Sequence, residues 1–205
     1  MTTLNAHDYS IGEKLSAATM DGVTADLNAL LAQGIGEETI WIPAAAMTAE
    51  AGAEPSAMET LDNGTIVIPG IPFDAATDEY VNFSLVMPKR YDAGALQMMV
   101  CWTEIAATTG SVVWQFEAGL LNDGDAMGTD PGSGGGTVTD ARSASYDYMR
   151  TAFTTFTPDG TITDDNPMLE VRLGRDADNG SDTLDADAYL LGVLVRWTSD
   201  VETDD

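Results

Sequence analysis

Histidine is nearly absent: His7 is the single one in 205 residues. A Ser-His-Asp or Cys-His hydrolase site would have to borrow it from outside the strand-patterned region, and a metal site built on two histidines is excluded within one chain. Cysteine is as scarce. With Cys101 alone, no disulfide can form within the chain. Its place mid-strand among apolar residues predicts a buried, inert thiol rather than a nucleophile. Basic residues number 8 against 34 acidic ones, a formal net charge of −26. Such a surface repels phosphate backbones and anionic membranes, so no nucleic-acid partner is expected. The charge serves solubility and salt tolerance, with cation binding or docking on a basic partner as the sharper alternative. No apolar run approaches the roughly 20 residues of a membrane helix, so no membrane insertion is expected. Residues 1–10 lack the basic region and apolar core of a secretory signal, which predicts a protein made in a cytoplasm. The glycine run 132–136 lacks the lysine and the strand-to-helix setting of a phosphate loop. No cofactor is expected.

What is present is a long series of strands. Residues 79–120 carry the clearest pattern. Val81, Phe83, Leu85 and Met87 alternate with polar residues, Leu96, Met98, Val100 and Trp102 repeat the period of two, and Val112, Trp114, Phe116 and Ala118 repeat it again. Three strands in a row with one apolar face each need a second sheet or a helix as cover. Trp41-Ile42-Pro43 opens the β region; residues 44–57 read as a surface loop; Thr65 to Ile68 form a β-branched run ended by Pro69-Gly70. Residues 122–139, with Gly134-Gly135-Gly136 inside, predict a mobile surface excursion. Tyr146 to Phe156 read as one strand, and Leu169, Val171 and Leu173 as another. A polar connection over 176–185 follows, and a last strand carries Tyr189, Leu191, Val193, Val195 and Trp197. Eight or nine strands with no helical run among them predict a mainly β fold. It is an antiparallel, jelly-roll-like β-sandwich over residues 39–200, followed by an acidic tail at 201–205.

Residues 1–38 differ. Met20, Val23, Leu27 and Leu30 follow helical spacing, with Thr19 or Asp21 as cap and Gly34 with Gly36 as stop. So short a helix is marginal alone in water. Its stripe packs either on its own β domain or against copies of itself, which makes these four residues the candidate oligomer or docking contacts of an N-terminal arm.

Candidate chemistry is thin. With 34 acidic residues, pairs of carboxylates arise by chance, none can be singled out as a glycosidase pair, and the chain is expected not to be an enzyme. Asp176, Asp178 and Asp187 fit three positions of an EF-hand loop, but Ser181 stands where glycine is needed and no helices flank it. A looser calcium site at Asp176-Asp178-Asp182 or Asp123-Asp125-Asp130 competes with an ordinary polar turn, and no resident metal is expected. Trp102, Trp114 and Trp197 fall on apolar strand faces and read as core. Trp41 is less determined. Tyr146 and Tyr148, two residues apart, are the best candidate for a ligand-facing pair.

A set of short motifs adds a resemblance. Trp41-Ile42-Pro43-Ala44 with Met47 begins it. Phe73-Asp74-Ala75-Ala76-Thr77-Asp78-Glu79-Tyr80, Phe83, Met87-Pro88-Lys89, Tyr91, Gly94, Trp102-Thr103 and Gly110-Ser111-Val112-Val113-Trp114 continue it. Gly180-Ser181-Asp182-Thr183-Leu184, Asp187-Ala188 and Leu190-Leu191-Gly192-Val193 end it. Over 41–197 these resemble a β module of tailed-bacteriophage virion proteins, and Tyr9, Gly12 and Leu15 are similar in style to phage attachment arms. The resemblance implies a non-enzymatic structural component of the virion surface, a fibre or capsid decoration protein assembled in the host cytoplasm. It implies a homotrimer anchored by its arm to capsid or tail proteins. The alternative is a receptor- or glycan-binding module at a tail tip, with a host surface glycan as partner. The motifs transfer no catalytic or binding residue.

Overall fold

The computed structural model of the chain describes residues 22, 24–25, 36–127, 132, 134–163 and 165–199. Two antiparallel sheets face each other. The strands are β1 (Gly36–Pro43), β2 (Thr48–Ala49), β3 (Glu59–Asp62), β4 (Val67–Phe73), β5 (Glu79–Val86), β6 (Leu96–Thr103), β7 (Ser111–Leu121), β8 (Gly136–Ala141), β9 (Met149–Arg150), β10 (Thr154–Phe156), β11 (Met168–Arg175) and β12 (Ala188–Ser199). Seven form one sheet in the order β10-β6-β12-β4-β3, with β1 also on β12 and β9 on β6; five form the other, β2-β5-β11-β7-β8.

The alternation over 79–120 yields three strands with the expected faces: Val81, Phe83, Leu96, Met98, Val100, Trp102, Val112, Trp114, Phe116 and Ala118 are buried. They do not lie side by side. β6 belongs to the seven-stranded sheet, while β5 and β7 flank β11 in the five-stranded one. The cover for β6 is therefore partly its own sequence neighbours. Phe73 meets Trp114 edge-on at 5.3 Å and Phe116 meets Phe156 at 5.1 Å across this shared core, geometries that add to simple area burial. Trp197 is buried as well.

Several boundaries move. The β domain starts at Gly36 rather than 39, because β1 pairs with β12 over its whole length. The segment 44–57 is not all loop: Ala44–Ala46 form a 3-10 turn and β2 pairs with β5. Pro69-Gly70 does not end a strand. Pro69 sits where β4 has only β3 beside it, a position that tolerates a missing amide. At Gly70 a Cβ would lie 3.1 Å from Leu61 and 3.3 Å from Tyr189. Tyr146 to Phe156 is a turn followed by two short strands. The glycine run is no free excursion either. A Cβ on Gly134 or Gly135 would overlap backbone atoms of Ala118, Thr157 and Asp159, or of Phe116, and β8 starts immediately after them. Gly135→Ala is expected to cost about 1–3 kcal/mol through overpacking; equilibrium urea unfolding measures it, and an unchanged midpoint would contradict this packing. Met20, Val23, Leu27 and Leu30 lie outside the described residues, as does the tail 201–205, and a helical arm is not among the described elements.

Among the described residues, six of the chain's eight cations are tied up in ion pairs. Lys89, Arg90, Arg142, Arg172, Arg175 and Arg196 each pair with a carboxylate. Arg175 is fully buried. Its side chain donates to Asp182 through two nitrogens at 2.8 and 3.0 Å, and to the carbonyls of Phe73, Leu184 and Ala186. Asp182 also accepts from the Val113 amide at 2.9 Å. This clamp fixes the polar connection between β11 and β12 on the core, and the paired cations leave the exterior dominated by acid.

Candidate ligand-binding site

The segment between β8 and β9 carries both candidate tyrosines. It is tied down residue by residue. Arg142 forms an ion pair with Glu104, which is fully buried. Arg142 also donates to Ser145 Oγ at 2.7 Å and to the Ala106 carbonyl at 3.2 Å, and Ser145 Oγ donates to that same carbonyl at 2.8 Å. Ser143 Oγ donates to Asp147 at 2.7 Å, and Thr103 Oγ1 to the Asp147 carbonyl at 2.7 Å. The Tyr146 amide donates to the Glu104 carbonyl at 2.7 Å. Within this frame Tyr146 takes φ +61°. That left-handed conformation costs a bulky L-residue of the order of 1–2 kcal/mol, so the surroundings enforce it.

The result is an exposed aromatic pair. Tyr146 is 40% and Tyr148 60% accessible. The Tyr148 ring is open to solvent while its hydroxyl is turned inward, donating to Cys101 Sγ at 3.1 Å. Burial of that end, then the bond to Cys101, push the Tyr148 hydroxyl up to about 12. Burial also pushes the Cys101 thiol up, and the thiol is buried, as its place in the sequence predicts.

The two rings border a cavity of about 230 Å3. Thr103 of β6 and Leu191 of β12 supply its floor. The β3–β4 hairpin supplies the far wall with Leu61, Asn63, Ile66 and Ile68. The wall is seated by a small apolar cluster of Leu61, Tyr189 and Leu191 on the outer side of the seven-stranded sheet, with Ile105 packed against it. Among the described residues no charged side chain lines this cavity. Flat rings, branched aliphatic side chains and a few uncharged polar groups suit a neutral ligand with an apolar face. Trp41 is also exposed, at 43%, but it packs over Gly192 and does not line the cavity.

A larger groove of about 850 Å3 crosses the outer face of the five-stranded sheet. Size alone would favour it, yet among the described residues its one lining cation, Arg172, is committed to two of the groove's carboxylates. Arg172 donates to both carboxylate oxygens of Glu50 at 2.5 and 3.1 Å and to Glu117 at 3.1 Å, and stacks 3.4 Å from the centre of the Tyr80 ring. Gln115 in turn donates to Tyr80 at 2.9 Å. The bonds to Glu50 raise Arg172 still further above its usual range. The smaller cavity is the better ligand site because its rings are exposed and its walls neutral.

The acidic candidates regroup. Asp78, Asp176 and Asp178 bring one carboxylate oxygen each within 4.8 Å of one another, hard donors of the kind calcium takes. Asp182 is not among them, since Arg175 holds it. Asp78 accepts from the Ala177 amide and Asp176 from the Asn179 side chain. In the other candidate loop, Asp125 accepts from the Asn122 backbone and side chain, and Asp130 lies outside the described residues. The charge of Asp78, then the bond and charge of Asp176, raise the carboxyl of Asp178. A carboxyl raised on folding binds its proton more tightly in the native state, so ionisation there opposes folding as pH rises. Asp178→Asn is thus expected to raise Tm slightly at pH 7, with the gain vanishing as pH falls through the carboxylate range; a loss of Tm at pH 7 would contradict this.

The tyrosine pair was legible in sequence, though a clamped turn rather than a strand brings it together. The hairpin wall was not: Ile66 and Ile68 carry only a β-branched signal, and their exposure follows from β4 leaving β12 before Ile71, where β1 takes over the edge of β12 and β3 is the hairpin's remaining partner. No protein-family model and no curated protein matches the chain. Among solved structures it is similar to CBM35 from Cellvibrio japonicus Abf62, at 9% identity over 80% of this chain and 100% of that one, TM-score 0.42. It is also similar to the isomalto-dextranase of Arthrobacter globiformis T6 complexed with panose, at 13% identity over 75% of this chain and 24% of that one, TM-score 0.44. A third is the mannan-recognising carbohydrate-binding module TmCBM27, at 9% identity over 80% of this chain and 98% of that one, TM-score 0.38. At these values the likeness assigns no family and carries no residue or ligand across.

Proposed function

We propose that the protein is a non-catalytic recognition module that binds an uncharged glycan at the Tyr146–Tyr148 cavity. The observation that carries this reading is the exposed aromatic pair, held by a loop that Arg142 and Glu104 clamp to the sheet. Tyrosine offers a wide apolar face at low entropic cost, since only two side-chain torsions need fixing, and the C–H face of a sugar ring packs on such a surface. The neutral lining and the net charge of −26 favour neutral sugars over uronic or sulfated ones. A cavity this small supports modest affinity per site. Display of several copies on a phage particle, as a trimeric appendage anchored through residues 1–38, is the setting that the sequence resemblance suggests, and it would supply avidity.

A glycan array probed with the tagged protein tests the reading. Binding to neutral glycans, lost in Tyr148→Ala, is expected. Binding confined to polyanions, or to none of the arrayed glycans, would overturn it.

A further inference from the structure

Resting on the glycan reading, we infer that the cavity selects a sugar ring bearing an acetamido group. The polar side chains around the cavity divide into spent and available. Thr103 Oγ1 is committed to the Asp147 carbonyl and the Tyr148 hydroxyl to Cys101. The Asn63 amide and the Tyr146 hydroxyl make no hydrogen bond to described residues, and both border the cavity. Asn63 offers N–H donors that an acetamide carbonyl, a stronger acceptor than a hydroxyl, can take up.

The rest of the far wall is aliphatic. Ile66 and Ile68 are exposed at 64% and 42%, and they flank the Asn63 side of the cavity. A hydroxyl pressed against them would lose water without gaining a partner, whereas a methyl group gains burial. A ring carried on the tyrosine faces, with its acetamide carbonyl at Asn63 and its methyl on Ile66 and Ile68, gives Asn63 a partner and covers both isoleucines, and a ring hydroxyl can reach the Tyr146 hydroxyl. A cavity of about 230 Å3 lies below the roughly 300–1,000 Å3 of pockets for drug-sized ligands, which fits one substituted ring rather than a stretch of chain.

The test is titration calorimetry of the full chain with two probes, methyl N-acetyl-β-glucosaminide and methyl β-glucoside. The acetamido probe is expected to bind at least about 10-fold more tightly, the range set by one well-placed apolar group. Asn63→Ala and Ile68→Ser should each narrow that ratio, while Tyr148→Ala weakens both probes alike. Equal binding of the two probes, both lost in Tyr148→Ala, would overturn the acetamido preference and leave the glycan reading standing. Failure of both probes together with an array showing no neutral glycan bound would remove both.

Discussion

Replacing Arg175 with methionine is expected to cost about 3–5 kcal/mol of folding stability, the loss seen when one member of a buried ion pair is removed. Three features place the effect at the upper end. The side chain is fully buried, it makes five hydrogen bonds, and its removal strands Asp182 with only the Val113 amide while three carbonyls lose a donor. Methionine restores volume but no donor. Lysine is no substitute, since its single ammonium cannot reproduce the planar fork that reaches Asp182 twice. Against a total of about 5–15 kcal/mol for a domain, such a loss leaves little margin. Urea unfolding of both variants measures it; a loss below about 1 kcal/mol would show that the clamp is not what holds the β11–β12 connection.

Removing the aromatic pair is expected to separate binding from stability. Tyr148→Ala takes away the most exposed ring of the site and should weaken glycan binding about 10- to 100-fold, the range of an interface anchor. Tyr146 offers a sharper comparison, because its backbone sits at φ +61°. Tyr146→Ala and Tyr146→Gly both remove the ring, so both should lose binding. Only glycine also relieves the left-handed strain, so the glycine variant should be more stable than the alanine one by about 1 kcal/mol. Binding and thermal melts on the same three proteins read out both quantities. Equal stability of the two Tyr146 variants would mean that the loop relaxes out of the left-handed region once the ring is gone. Retained binding would mean that the rings are bystanders.

Strand faces were legible in the sequence wherever apolar and polar residues alternate, as along Val81–Phe83 and Leu169–Val171–Leu173, because that period maps directly onto burial. The sheet to which each strand belongs was not legible. Alternation says that Trp102 points inward, but the same pattern serves either side of the sandwich, so β6 read as a neighbour of β5 and β7. Glycine was ambiguous for a related reason. A run such as Gly134–Gly136 has one composition whether it moves freely or lets two backbones press together, and here the backbones of Phe116 and Asp159 need the space. Asp182 read as a possible metal ligand because its partner, Arg175, lies seven residues away and meets it only through the fold. At the site itself, tyrosines two apart were enough to nominate the pair. Arg142 is clamped by Glu104, 38 positions away in sequence, and the Ile66–Ile68 wall lies on a separate hairpin, so no local pattern announces either.

The most direct test of glycan recognition at the Tyr146–Tyr148 cavity is a two-dimensional amide NMR titration with a neutral glycan taken from the array. Shifts concentrated at Asn63, Thr103, Tyr146, Tyr148 and Leu191, saturating together, are expected. Shifts centred on Asn82, Glu117 and Arg172 in the groove of the opposite sheet, or a spectrum that does not change, would contradict it.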